Sequence, residues 1–76
     1  MTLNELKEGQ HARIVSLSSH KTGIELKLRE IGFCEGDEVE LLRRGPIGRE
    51  PLAIRLNRKI FALRSDEARL VEVEAD

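Results

Sequence analysis

The chain predicts a small, mostly β barrel with one short inserted helix. Three observations carry that expectation. Short apolar-alternating runs at 10–17, 38–43, 52–56, 59–64 and 70–74 read as five strands. A single helical pattern, Ile24, Leu28 and Ile31 at i, i+4 and i+7, sits between the first two of them. The chain has only 76 residues, too few for a parallel sheet with covering helices. Closing such a small sheet also removes its exposed edges.

Taken in order, Thr2-Leu-Asn-Glu5 has capping-box spacing and predicts one helical turn with Leu3 and Leu6 inward, ended by Gly9. The first strand puts Ala12 and Ile14 on one face, Val15 and Leu17 on the other. A polar loop, Ser18-Ser-His-Lys21, leads to Thr22-Gly-Ile-Glu25, a second capping-box spacing that opens the helix. Gly32 follows the last apolar helix position, where a left-handed residue closes a helix without a Cβ clash. Phe33 then falls where a Schellman closure folds an apolar residue back onto Leu28. Gly36 makes a second reversal into the next strand, with Val39, Leu41 and Arg43 on one side. Residues 45–51, with two glycines and two prolines, read as a loop that cannot continue a ladder. Leu52, Ile54 and Leu56 alternate as a third strand. Asn57-Arg58 is a two-residue hairpin turn in which Asn accepts a positive φ and Arg does not. Ser65-Asp-Glu-Ala68 reads as one capped turn with acids at its positive end, before the last strand of alternating Val and Glu. The nearest architecture is an SH3-like barrel with an inserted helix. An OB-type barrel is the alternative, although it wants longer strands. Residues 1–76 form one domain, without repeat, linker or low-complexity run.

Composition narrows the function. No apolar run approaches the ~20 residues of a membrane helix, and no signal-peptide core opens the chain, so direct membrane insertion is not expected. One cysteine cannot form an internal disulfide, which fits a reducing cytosol. Cys34 has no second Cys for a zinc knuckle or a redox pair and is expected to be a small buried hydrophobe. His11 and His20 lie on a strand start and a loop. Glu35, Asp37, Glu38 and Glu40 run along a strand entrance, where alternate residues face opposite ways and cannot all converge on one ion. No phosphate-binding loop or nucleophile–base set is present, so no enzyme, cofactor or tight metal site is expected, only weak surface metal binding. Two Phe, no Trp and no Tyr supply little for base stacking or a proline-peptide groove. The net charge of −1 is uneven. Residues 43–64 carry seven basic groups and one acid, +6, and the remainder carries −7. Such a surface can steer a partner, or its arginines simply fill wet strand faces.

Over nearly its whole length, from Leu3 to Val73, the chain resembles the FeoA family. The residues that carry the likeness are Leu-Arg-Glu-Ile-Gly-Phe (28–33), Val-Glu-Leu-Leu (39–42), Arg-Arg-Gly-Pro-Ile-Gly (43–48), Pro-Leu-Ala-Ile (51–54) and Ile-Phe-Ala-Leu-Arg (60–64). The resemblance implies an SH3-like barrel, also used as the C-terminal domain of metal-dependent repressors. It implies a bacterial cytoplasmic accessory protein of ferrous iron uptake, recruited to the inner membrane by FeoB, a permease with a cytoplasmic G-protein domain. From composition no nucleic-acid partner is expected, with backbone-only contact through the arginine-rich middle the weak alternative against an acidic remainder; a weak homo-oligomer is a further assembly left open. Two departures stand out. Glu35 replaces a frequent Pro, and the Gly-Arg-Glu-Pro loop (48–51) is one residue longer than the family's Gly-Asp-Pro. The alternative reading is a regulatory module akin to the repressor domain. For partner contact, Leu26 lies opposite the Ile24–Leu28–Ile31 face, beside Arg29 and Glu30, and Pro46, Ile47 and Arg49 extend the candidate surface. A lone exposed leucine is also ordinary.

Overall fold

In the computed structural model, residues 1–17 and 22–76 are described. A 3-10 turn, Leu3–Glu5, precedes β1 (His11–Leu17), α1 (Thr22–Ile31), β2 (Glu38–Ile47), β3 (Glu50–Leu56), β4 (Lys59–Leu63), α2 (Ser65–Ala68) and β5 (Val71–Ala75). The strands form one antiparallel sheet in the order β4-β3-β2-β1-β5, curled around a core that includes Leu3, Ile14, Leu28, Phe33, Leu41, Ile54 and Val71. Among the described residues no helix is long and apolar enough to cross a membrane. His20 and its loop lie outside the described residues.

The N-terminal turn forms as its spacing predicts. The amide of Thr2 donates to Glu5 Oε1 at 2.6 Å, and Leu3 and Leu6 are buried. The helix stop is a Schellman closure. The amide of Phe33 donates to the carbonyl of Leu28 at 2.9 Å, and that of Gly32 to Arg29 at 3.1 Å. Gly32 has φ +116°, and Phe33 is buried in tilted contact with Phe61. At the β3–β4 turn Asn57 alone has a positive φ.

Four expectations are corrected. In β1, Ala12, Ile14 and Leu17 are all buried and Val15 is exposed. The cause is a bulge: Ile14 pairs with Val73 and Ser16 with Glu72, so Val15 is the extra residue and the face beyond it is inverted. In β2 a second register shift between Leu41 and Arg43 places Arg44, not Arg43, on the side of Val39 and Leu41, opposite Leu52. Residues 45–51 are not a free loop. β2 and β3 continue to an Ile47↔Glu50 pair closed by Gly48 and Arg49, both with positive φ as a tight hairpin turn requires. The ladder tolerates Pro46 and Pro51 because both, with Gly45, fall in the gap between the Arg44↔Leu52 and Ile47↔Glu50 pairs. Gly45 is needed there, since a Cβ would collide with the Glu50 carbonyl. Finally, Cys34 is exposed rather than buried. Phe33 takes the core slot, and Cys34 begins the next turn, its carbonyl accepting from the amide of Asp37 at 3.1 Å.

Candidate partner-binding surface

The inserted helix is held to the barrel by one face. Leu28 is fully buried, and Ile24 and Ile31 pack half-buried beside it. Leu26 projects from the opposite face and is 60% exposed, which separates it from core packing.

Charge brackets this leucine. Arg29 donates to Glu25 at 3.2 Å and grips Glu35 with two parallel bonds of 3.1 and 2.9 Å. The fork-on-fork bond to Glu35 is the largest influence holding the Arg29 guanidinium above its usual pKa, and it holds the Glu35 carboxyl below its own. Both side chains are solvent-facing, so the pair orients the helix end more than it stabilises the fold. Glu35, where the family often carries Pro, thus ties the turn after α1 back to the helix. Glu30 is exposed. Lys27 reaches Glu67 of α2 at 2.7 Å. Burial pushes the Glu67 carboxyl up, but the Arg64 amide and the Lys27 ammonium outweigh it and leave it below the ordinary carboxylate value.

The hairpin half of the candidate surface is also exposed. Ile47 is 83% exposed at the tip, with Pro46 and Arg49 beside it. Arg49 faces a depression of about 460 Å³ shared with Leu6, Glu8, Arg44 and Ser65. Pro46 lines another, of about 480 Å³, with Arg43, Pro51 and Ala53. Leu26, Arg29 and Glu30 thus lie on the exposed face of α1, and Pro46, Ile47 and Arg49 at the exposed end of the β2–β3 hairpin.

Sequence reasoning passed over Arg44. Its guanidinium donates to the carbonyls of Asn4 and of Leu6 (3.2 Å), and its amide donates to Glu8 at 2.8 Å, so it fastens the N-terminal turn to the barrel. Glu50 was missed in the same way. It accepts the Ser65 amide, and hydrogen bonding from the Ser65 hydroxyl first and from that amide second holds its carboxyl below the usual range. Neither has a local sequence signal, since both partners are distant in the chain.

For metal, His11 Nε2 stands 3.8 Å from Glu40, which also accepts from Arg55, while Glu38 pairs with Arg13. Among the described residues no three His, Cys, Asp or Glu side chains are grouped as ligands.

Residues 1–75 match the model of the FeoA domain. The chain belongs to the FeoA family. Among its relatives, a putative Fe(2+) transport protein A of Campylobacter jejuni is 37% identical over 73 residues, 96% of either chain. The zinc-complexed crystal structure of FeoA from Stenotrophomonas maltophilia, described as a procaryotic SH3 domain protein, is 39% identical, with a TM-score of 0.86 over 97% of this chain and 89% of that one. The SH3-like barrel expected for the family is thereby the fold found. A manganese-dependent transcriptional repressor superposes on all of this chain with a TM-score of 0.89, but at 14% identity over 41% of its own length. That likeness concerns the fold alone.

Proposed function

We propose that this FeoA-family chain acts as a single, non-enzymatic domain that assists bacterial ferrous iron uptake by binding the cytoplasmic part of a FeoB-type permease through the outer face of α1. The observation that carries this reading is Leu26, 60% exposed on a helix whose Leu28 is fully buried. Arg29, Glu30 and Glu35 surround it with charge, and an apolar centre within a charged rim suits a small transient contact. The name of the Campylobacter jejuni relative supports the iron-transport context. The contact places the domain in the cytoplasm, at the inner membrane only through its partner. Pro46, Ile47 and Arg49, exposed on the β2–β3 hairpin, extend the contact.

The test is binding of purified protein to the purified cytoplasmic part of the permease, with ferrous iron uptake in cells as the second readout. Leu26→Asp leaves the melting temperature nearly unchanged while weakening binding and uptake. Leu28→Asp, placing a carboxylate in the core, unfolds the domain. A Leu26→Asp protein that folds, binds and supports uptake normally would place the contact elsewhere.

A further inference from the structure

The two edges of the sheet are treated differently. Along β5 the outer edge is covered by the N-terminus: Thr2 bridges to Glu72, the Val73 amide donates to the Met1 carbonyl at 2.8 Å, and the Met1 ammonium lies 3.3 Å from Glu72. Along β4 only β3 is paired, and among the described residues no backbone bond runs from Lys59–Leu63 to any other segment. The two-residue turn sets which groups are left over. With Leu56↔Lys59 closing the hairpin, the bonded pairs are Leu56↔Lys59, Ile54↔Phe61 and Leu52↔Leu63. The amides and carbonyls of Ile60 and Ala62 therefore point away from β3. Ile60 is 59% exposed and Ala62 is exposed, and among the described residues no backbone group pairs with this strip.

Charge selects the occupant. The middle of β4 is uncharged, but Arg58 and Lys59 stand at one end, Arg64 just beyond the other, and Arg55 beside Ile60 on β3. A second copy laid antiparallel on β4 would oppose basic ends to basic ends, which destabilises pairing. The acidic β5 strand of a second copy has no open edge to offer, because Met1 and Thr2 occupy it. We propose that the outer edge of β4 is a docking site for an acidic, extended segment of another protein, which adds to the sheet as a further strand. Backbone bonds to Ile60 and Ala62 supply attachment, and the flanking Arg58, Lys59 and Arg64 select acidic over basic sequences. The site is independent of the contact proposed at α1 and contains none of its residues.

The probe is the synthetic peptide acetyl-Thr-Val-Glu-Val-Glu-Asp-amide, with acetyl-Thr-Val-Lys-Val-Lys-Lys-amide as its basic counterpart, titrated into the ¹⁵N-labelled protein. The acidic peptide is expected to shift the amides of Ile60 and Ala62 most, to slow their hydrogen exchange, and to bind more weakly as salt is raised. The paired change Arg58→Glu with Lys59→Glu is expected to weaken the acidic peptide by at least about tenfold and to strengthen the basic one. Ala62→Pro removes one outward amide at an edge position that tolerates proline, and is expected to abolish binding with the fold intact. Should Ala62→Pro not fold, the charge reversal decides. No shift at millimolar acidic peptide, shifts centred away from β4, or an unchanged affinity after charge reversal would overturn the proposal and reduce the basic ends to guards against aggregation. Leu26→Asp is expected to bind the peptide normally, so a failure at β4 and a failure at α1 are read separately.

Discussion

Two glycines in and beside α1 allow a test in which one chemical change has opposite effects. Gly32 holds φ +116°, and a Cβ built on it would meet only Leu56 Cδ2 at 3.7 Å, an ordinary contact. Space is therefore no obstacle there, and the penalty is that of the backbone alone. Gly23, in the first turn of α1, has no positive φ, and among the described residues nothing lies within 4 Å of its Cβ position. Gly32→Ala should destabilise by about 1–2 kcal/mol, the cost of holding an L-residue at positive φ. Gly32→Val should cost more, because a β-branched side chain is a steric outlier there. Gly23→Ala should stabilise by roughly 0.5–1 kcal/mol through helix propensity and a less flexible unfolded chain. For a domain of this size each kcal/mol moves the melting temperature by roughly 4–8 °C. Gly32→Ala should thus melt ~4–16 °C lower in a circular-dichroism or calorimetric scan, and Gly23→Ala a few degrees higher. If the strain is instead relieved by opening the Schellman closure, Phe33 leaves its slot against Leu28 and the loss exceeds this range. A Gly32→Val protein that melts with the wild type would refute the reasoning, and with it the assignment of the helix stop.

Three further outcomes are expected. Arg44→Ala should lower stability by about 1–3 kcal/mol in urea unfolding, because the carbonyls of Asn4 and Leu6 lose a charged donor. The amides of the N-terminal turn should exchange faster in that variant, and unchanged exchange would show that Arg44 does not fasten the turn. The folded-state carboxyl of Glu67 titrates below its unfolded value, so its stabilisation is complete above the unfolded pKa, about 4.5, and disappears as pH falls through the folded one. Glu67→Gln should accordingly flatten the decline of melting temperature below about pH 4.5, and an acid slope equal to the wild type's would contradict the assignment. Calorimetric titration with Zn²⁺ or Fe²⁺ should show nothing tighter than weak surface binding. A stoichiometric submicromolar site lost on His11→Ala or His20→Ala would reverse that expectation.

Local chemistry carried the sequence a long way. Capping spacing, the glycine stop and the 3.6-residue apolar period are interactions among residues fewer than six apart, so the N-terminal turn, α1, the Schellman closure and the exposure of Leu26 were legible before any tertiary contact was known. The number and order of strands followed from alternation and turn residues in the same way. Register lies beyond that reach. The bulges at Val15 and after Leu41 depend on how the partner strand runs, and each inverts the face of every residue that follows, which is why Leu17 and Arg44 turned inward against the alternation. The continuation of β2 and β3 through two prolines likewise needed the partner strand to leave a gap for them. Arg44 reaching Asn4, Lys27 reaching Glu67 and Glu50 reaching Ser65 bring together residues that the chain keeps apart. How the two sheet edges differ was decided the same way: Met1 and Thr2 fold back over β5, while among the described residues nothing but β3 pairs with β4, a difference set by tertiary contact and by no property of either strand alone.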